Sequence, residues 1–461
     1  MFLYCISWIY SSRKPKHSLA WTQVCRFWRD TSLTSPRIWN CIDLCNVNYA
    51  RELLLRSRPA PISIISDSPL RLFQDDLREH AGRLQSIDVF LFPNDLSAFF
   101  ASLGNKTQTT GLVDLSLKVP TISQNYRLDI PFPSVRRLCL EAVSIQWEFC
   151  RKMTHLTLRG LTEADSPTLL QLYAILDSSA SLEYLNLENI EPLRNLDSVP
   201  RIHLDEIKEI ELTGNPKLSY DILSLLSLPN TVQIRILCAY NLFTDCYALF
   251  PGTSSVPYFQ TIAVEVNTIC LARHAVSFSR CTRHLYSSST GSVSEVPPVL
   301  TIASTRLAST ASHSLDAIVH PHLITTLELS SSLLVDIRFN DFTKLLSSFR
   351  NLDSLVVGFN HLTDLLAILS SDSPCCCPKL RCVTFGRRKE VWWKFRQTWF
   401  DGVVECFRVR AGKGNEVALV RFVWCAEVGE VEREVMKKAI SVQVEVVEVE
   451  RDESERLSLS A

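Results

Sequence analysis

The sequence predicts an α/β fold in which short parallel strands alternate with helices along a curved repeat array, behind a small helical module. Three observations predict it. A six-residue apolar pattern recurs at near-regular spacing, helical segments fall between its copies, and the first forty residues carry a helix of different periodicity. Each step from strand to helix and back gives a unit too small to bury its own apolar face, so successive units must stack.

The pattern is L-x-x-L-x-L. It reads Leu84, Ile87, Val89, then Leu112, Leu115, Leu117, then Val135, Leu138, Leu140, then Met153, Leu156, Leu158, then Leu182, Leu185, Leu187, then Ile207, Ile210, Leu212. It returns as Ile324, Leu327, Leu329, then Leu352, Leu355, Val357, then Leu380, Val383, Phe385. The starts lie 28, 23, 18, 29 and 25 residues apart, and later 28 and 28. That is the spacing of roughly 20–29 residues that marks leucine-rich repeats. The last three positions alternate as a strand does, turning apolar side chains inward and the x residues outward. Helices that return the chain are predicted at Pro167–Leu176, Tyr220–Leu228, Phe342–Phe349 and Leu362–Leu369. Strand, loop and helix in repetition give an irregular leucine-rich-repeat solenoid; a doubly wound α/β domain also alternates the two but shows less self-similarity.

Regularity lapses twice. From about residue 232 to 319 the pattern is poor, and SSSTGSVSEVPP reads as a loop, so the repeats there are irregular or interrupted. From Val391, VWWKFRQTWF brings aromatic residues including Trp392, Trp393 and Trp399, read as a cap on the open end of the repeat core. Residues 403–423 alternate enough to suggest strands, and SVQVEVVEVE suits an edge strand with its carboxylates in water. The expected division is a helical module over residues 1–45, the array over 46–390, a C-terminal cap region over 391–450 and a disordered tail over 451–461.

Composition narrows the function. The 461 residues are 46% hydrophobic and 21% charged with a net charge of −1, so nothing draws the chain to nucleic acid or to an anionic membrane. Thirteen glycines and no Walker or dinucleotide fingerprint disfavour a phosphate-cradling enzyme. Sixteen cysteines scattered through apolar runs read as reduced, buried thiols of an intracellular protein, cytoplasmic or nuclear. Cys375, Cys376 and Cys377 stand together between two prolines, but consecutive cysteines do not readily close a tetrahedral zinc site. The opening MFLYCISWIY has no basic flank ahead of it and is too short to span a bilayer, so it reads as a buried helix.

In LAWTQVCRFWRDTSLTSPRIW, Trp21, Val24, Cys25 and Trp28 fall at i, i+3, i+4 and i+7, one face of a helix that gives way before Pro36. The bland reading is a cap on the repeat array. This run, with Leu33, Pro36 and Trp39 and the Ile42-Asp43-Leu44 beyond them, resembles the second half of the F-box of fungal F-box proteins, whose pattern is V-C-R-x-W-R and then L-x-(S/T)-P-R-(I/L)-W. ARELLLRS after it is similar to the family's next helix, which leads into a strand. The leucine-proline-proline-glutamate segment that opens the family's module has no counterpart ahead of Met1–Cys5, so the resemblance covers the second half alone. It implies a substrate receptor of a cullin-type ubiquitin ligase. Trp21, Val24, Cys25, Trp28, Leu33, Pro36 and Trp39 would meet the Skp-type adaptor, and the repeats would hold a protein substrate. A repeat protein used for binding or scaffolding, uncoupled from ubiquitination, is the alternative.

No catalytic, cofactor-binding or metal-binding constellation is expected. The ten histidines, His155, His203, His274 and His361 among them, show neither H-E-x-x-H nor metal-ligand spacing, no G-x-S-x-G elbow occurs, and Cys25 on an apolar helix face reads as core. Recognition is assigned to the outward strand positions, among them Gln85-Ser86, Arg136-Arg137, Glu183-Tyr184 and Lys208-Glu209.

Overall fold

The computed structural model describes residues 23, 25–66, 74–103, 111–120, 126–128, 131–162, 164–190, 200–229, 231–238, 268–272, 275–279, 300–303, 320–329, 339–357, 362–371, 376–385, 397–423, 434–435, 437–438 and 442–447. The fold is mixed α/β with parallel sheets. The chain divides into two compact units, one of residues 1–211 with 225–229, the other of residues 212–224 with 230–461. Among the described residues no helix is long and apolar enough to cross a membrane.

In the first unit, the strands β1 (Cys41–Asp43), β2 (Ile62–Ser66), β3 (Leu84–Phe90), β4 (Asp114–Lys118), β6 (Arg137–Glu141), β8 (His155–Arg159) and β9 (Tyr184–Glu188) pair in chain order, every one parallel to the last. Parallel neighbours need a return path. It is supplied by helices α2 (Val47–Arg56), α3 (Gln74–His80), α4 (Pro93–Ser102) and α5 (Leu169–Asp177), which follow α1 (Arg26–Leu33). Where the spacing shrinks to 18 residues there is no room for a helix. There the chain returns through β7 (Val143–Ile145), itself parallel to β5 (Tyr126–Leu128), and a 3-10 turn at Trp147–Phe149. A second small parallel pair joins β10 (Ile202–His203) to β12 (Leu226–Ser227). Helix α5 begins on a capping box: Thr168 Oγ1 accepts from the Gln171 amide at 3.2 Å, and Gln171 Oε1 accepts from the Thr168 amide at 2.9 Å.

In the second unit β14 (Thr268–Ala272), β17 (Thr326–Leu329), β18 (Ser354–Val357), β19 (Cys382–Phe385), β20 (Leu419–Val423) and β21 (Gln443–Val447) form the parallel ladder. Helices α7 (Phe339–Ser348), α8 (Leu362–Ser370) and α9 (Gln397–Gly412) lie between its strands. The poorly patterned stretch is a real break in order. Strand β15 (Ala275–Ser279) runs antiparallel to β14 and to β16 (Leu300–Ala303), and β16 is parallel to β13 (Gln233–Cys238), so chain order reverses across this insert. SSSTGSVSEVPP lies outside the described residues.

All 27 positions named for the nine copies of the pattern are between 0 and 2% exposed. Two further copies each include an aromatic residue. Trp39, Ile42 and Leu44 precede β2, and Val417, Val420 and Phe422 lead through β20; none is more than 4% exposed. The ladder thus runs on past residue 390, through β20 and β21. Residues 403–412, expected as strand, are helical. Phe400, Val403, Val404 and Phe407, at i, i+3, i+4 and i+7, are buried together with Cys406 and Arg410, and that period outweighs the β-branched content. Trp392 and Trp393 lie outside the described residues, and Trp399 falls in the first turn of α9.

The paired cysteines of the predicted cluster have a structural use. Cys376 and Cys377 are buried in the turn between α8 and β19, and the Cys377 thiol donates to the Leu346 carbonyl at 3.3 Å, at the end of α7. Their carbonyls accept from Arg410 on α9, at 3.0 and 2.8 Å, and Arg410 also donates to Leu369 O at 3.2 Å. Arg410 is 1% exposed. Its charge is met by the carbonyl end of α8, where the helix dipole favours a cation, and Lys413 adds a second by donating to Ser370 O at 2.9 Å. Cys375 lies outside the described residues.

Candidate recognition surface

The pattern that buries one side of each strand leaves three outward positions, and the parallel register sets them in rows. One row runs Cys41, Ser63, Ser86, Asp114, Arg137, His155, Tyr184. The middle row runs Asp43, Ile65, Asp88, Ser116, Cys139, Thr157, Asn186. The last runs Phe90, Lys118, Glu141, Arg159, Glu188 and alternates in charge. Neighbours across strands compensate each other. Arg137 holds Asp114 through two hydrogen bonds, Lys118 lies 3.6 Å from Asp88, and Arg159 lies 3.2 Å from Glu188. An open pocket of about 270 Å³ is lined by Ser66, Asp88, Phe90 and Lys118.

The outward residues expected from the sequence are exposed or half-buried: Gln85, Ser86, Arg136, Arg137, Glu183, Tyr184, Lys208 and Glu209. The expected pairs are the two residues after the first apolar position, and the x between the second and third faces outward as well. That position holds Asp88, Ser116, Cys139, Thr157 and Asn186, the centre of the face. The signal was present in the same alternation that identified the interior. Asn186 is 1% exposed although it points outward. Its Nδ2 donates to Glu211 Oε2 at 2.7 Å and to the Tyr184 hydroxyl at 3.2 Å.

The residues of the F-box resemblance are distributed differently. Trp21 and Val24 lie outside the described residues. Trp39 is 1% exposed, and its indole Nε1 donates to Ser32 O at 2.7 Å while Ser32 Oγ donates to Trp28 O at 2.7 Å. The Arg56 guanidinium of α2 sits 4.8 Å from the Trp39 ring centre, itself steadied by Glu52 at 2.7 Å. Trp28 and Pro36 are half-buried, and Leu33 is 45% exposed. Cys25, expected in a core, is exposed at the N-cap of α1, where its extended backbone at φ −156° takes it off the helix face. Phe27, absent from the expected face, is 75% exposed.

Burial raises the Cys41 thiol to about 11, with Asp43 adding to it, and raises Cys150 and Cys406 to about 12. Burial likewise raises Cys139 and Cys382. Protonated thiols are poor nucleophiles. Among the described residues, no three His, Cys, Asp or Glu side chains are grouped so as to hold a metal ion. His203 is exposed, and His155 stands half-buried in its row beside Tyr184, ring centres 6.1 Å apart. No family model matches the chain, and no curated protein matches its sequence.

Proposed function

We propose that the chain is a non-catalytic recognition protein: an irregular leucine-rich-repeat solenoid whose outward strand face binds a protein, joined through an F-box-like helix to the Skp-type adaptor of a cullin ubiquitin ligase. The observation that carries the recognition half is the register. One pattern fills the interior from strand to strand, and the freed positions form long rows of mixed polar side chains. Such a broad face suits a protein partner better than a small molecule, which favours a deep apolar pocket. The bound protein would be positioned for chemistry done by other subunits.

Support for the ligase half comes from Val24-Cys25-Arg26-Phe27-Trp28-Arg29 and Leu33-Thr34-Ser35-Pro36-Arg37-Ile38-Trp39, and from Phe27 and Leu33 standing in water on the short helix that the motif forms. Exposed apolar side chains on such an element mark a docking surface. Purified adaptor should be captured by the chain and released by Phe27→Asp, a change at a 75% exposed position that leaves thermal unfolding unaltered. If the wild-type chain captures no adaptor, the ligase half is wrong. One observation favours the scaffold reading instead: the Trp39–Ser32 hydrogen bond fastens α1 to the turn that leads into the first strand, as a terminal cap requires. Protein binding by the outward face without adaptor capture is its signature.

A further inference from the structure

The outward face of the first unit neutralises much of its own charge, strand by strand. Asp114 has Arg137, Asp88 has Lys118, and Glu188 has Arg159. Glu211, on β11 (Glu209–Gly214), has no cation among the described residues. The Lys208 and Glu209 amides both turn to the Glu183 carbonyl, at 2.8 and 3.3 Å, which brings Glu211 abreast of Asn186 in the middle row. Among the described residues only neutral donors reach its carboxylate: Asn186 Nδ2 at 2.7 Å and the Tyr184 hydroxyl at 3.3 Å, and both go to Oε2. Among the described residues no donor reaches Oε1, which keeps its lone pairs for another partner.

The groups behind that carboxylate are held with unusual firmness. Asn186 is 1% exposed and must turn Nδ2 toward Glu211, since its oxygen there would repel the carboxylate. The amide oxygen is thereby left buried with no hydrogen-bond partner, a sacrifice rare in buried polar groups. Burial raises the Tyr184 phenol, and the carboxylates of Glu211 and Glu209 add to this, so its hydroxyl stays a donor. A carboxylate fixed by two neutral side chains, with no counter-charge among the described residues, is suited to be one half of an ion pair.

We propose that Glu211, positioned by Asn186 and Tyr184, is the subsite for a basic side chain, a lysine ammonium or an arginine guanidinium, of the protein bound on this face. The inference rests on the recognition reading above and narrows it to a partner segment with an exposed basic residue.

The test uses the full chain and three probes, N-acetyl-arginine amide, N-acetyl-lysine amide and the neutral, near-isosteric N-acetyl-citrulline amide, followed by ligand-observed saturation-transfer NMR. Both cations should bind about tenfold more tightly than citrulline, the worth of a hydrogen bond to a fixed charge. Glu211→Gln, which keeps an acceptor for Asn186, should abolish that preference without shifting thermal unfolding. Equal binding of citrulline, no binding of either cation, or a preference that survives Glu211→Gln overturns the subsite. Random peptides selected on the immobilised chain separate this from the wider reading. Peptides that need Arg137 but ignore Glu211→Gln keep the face and remove the subsite, whereas peptides indifferent to both substitutions remove the face itself.

Discussion

The two units have the same interior pattern and differ in what they turn outward. In the first, the described rows hold Asp88, Asp114, Lys118, Arg137, Glu141, Arg159 and Glu188, while in the second the corresponding positions include Thr326, Ser354, Val356, Cys382, Thr384 and Leu419, with Glu328, Arg421 and Glu445 as the charges. Arg421 and Glu445 pair at 2.6 Å. The connections differ too. The first unit narrows to a 3-10 turn and short strands where spacing is tight, whereas the second returns through α7, α8 and α9. A recurring interior pattern therefore constrains neither the outward chemistry nor the return path. It fixes only which positions face inward, and recognition is free to vary on the rest.

If the interiors are equivalent, equal truncations should hurt equally. Leu156 on β8 and Leu355 on β18 are each 0% exposed at the same place in the pattern. Leu156→Ala and Leu355→Ala should each cost roughly 2–5 kcal/mol, the lost burial plus the cavity left behind. Urea unfolding followed by hydrogen exchange at the flanking strands measures both. A cost under about 1 kcal/mol in one unit alone would mean that its pattern only resembles that of the other.

The interior was legible because burial in a strand leaves a period of two, which side-chain volume does not disguise. Leu115, Ile210 and Phe385 obey it alike. Trp39-x-x-Ile42-x-Leu44 and Val417-x-x-Val420-x-Phe422 obey it as well, but were hidden by a motif reading in one case and by β-branched neighbours in the other. Val403, Val404 and Val409 in α9 misled for that second reason, since a helix that packs on a core accepts β-branched residues. Strand reversal at β15 could not be read at all: antiparallel and parallel strands bury alternate residues in the same way. Of the candidate site, the flanking outward pairs were legible and the Asn186–Glu211 contact was not, because it joins residues 25 apart through a register that only the fold supplies.

The next contrast sets two arginines against each other. Arg410 in the second unit is 1% exposed and donates to three carbonyls, with its Nε buried and unpartnered; the Arg137 side chain in the first is 57% exposed and pairs with Asp114. Arg410→Met should destabilise by about 3 kcal/mol, because the carbonyls of Leu369, Cys376 and Cys377 lose their donor where water does not replace it. Arg137→Met should cost less than about 1 kcal/mol, since an exposed ion pair is screened and salt weakens it further. Thermal unfolding of both variants at low and high salt ranks them. A larger loss for Arg137→Met would show that the outward rows, and not the interior, hold the first unit together.

The smallest effect separates the units by pH. Burial lowers His155 from its ordinary 6.5, the nearby Arg137 cation lowers it further, and Glu183 and Asp114 oppose this only in part, with Lys208 again lowering it. Between the folded and unfolded values the unfolded chain binds more protons, so the stability tied to neutral His155 is present above the unfolded value and is lost as pH falls from there toward the folded one. Acidification from pH 7 to below 6 should thus reduce hydrogen-exchange protection in β8 slightly more than in β18, whose ladder neighbours among the described outward residues include no histidine. His155→Asn should make the two strands respond alike, and Arg137→Met should move the imidazole titration seen by NMR upward, toward 6.5. An imidazole that titrates at or above 6.5 in the folded chain would refute the sign, and with it the view that the charges of this face act on one another along the row.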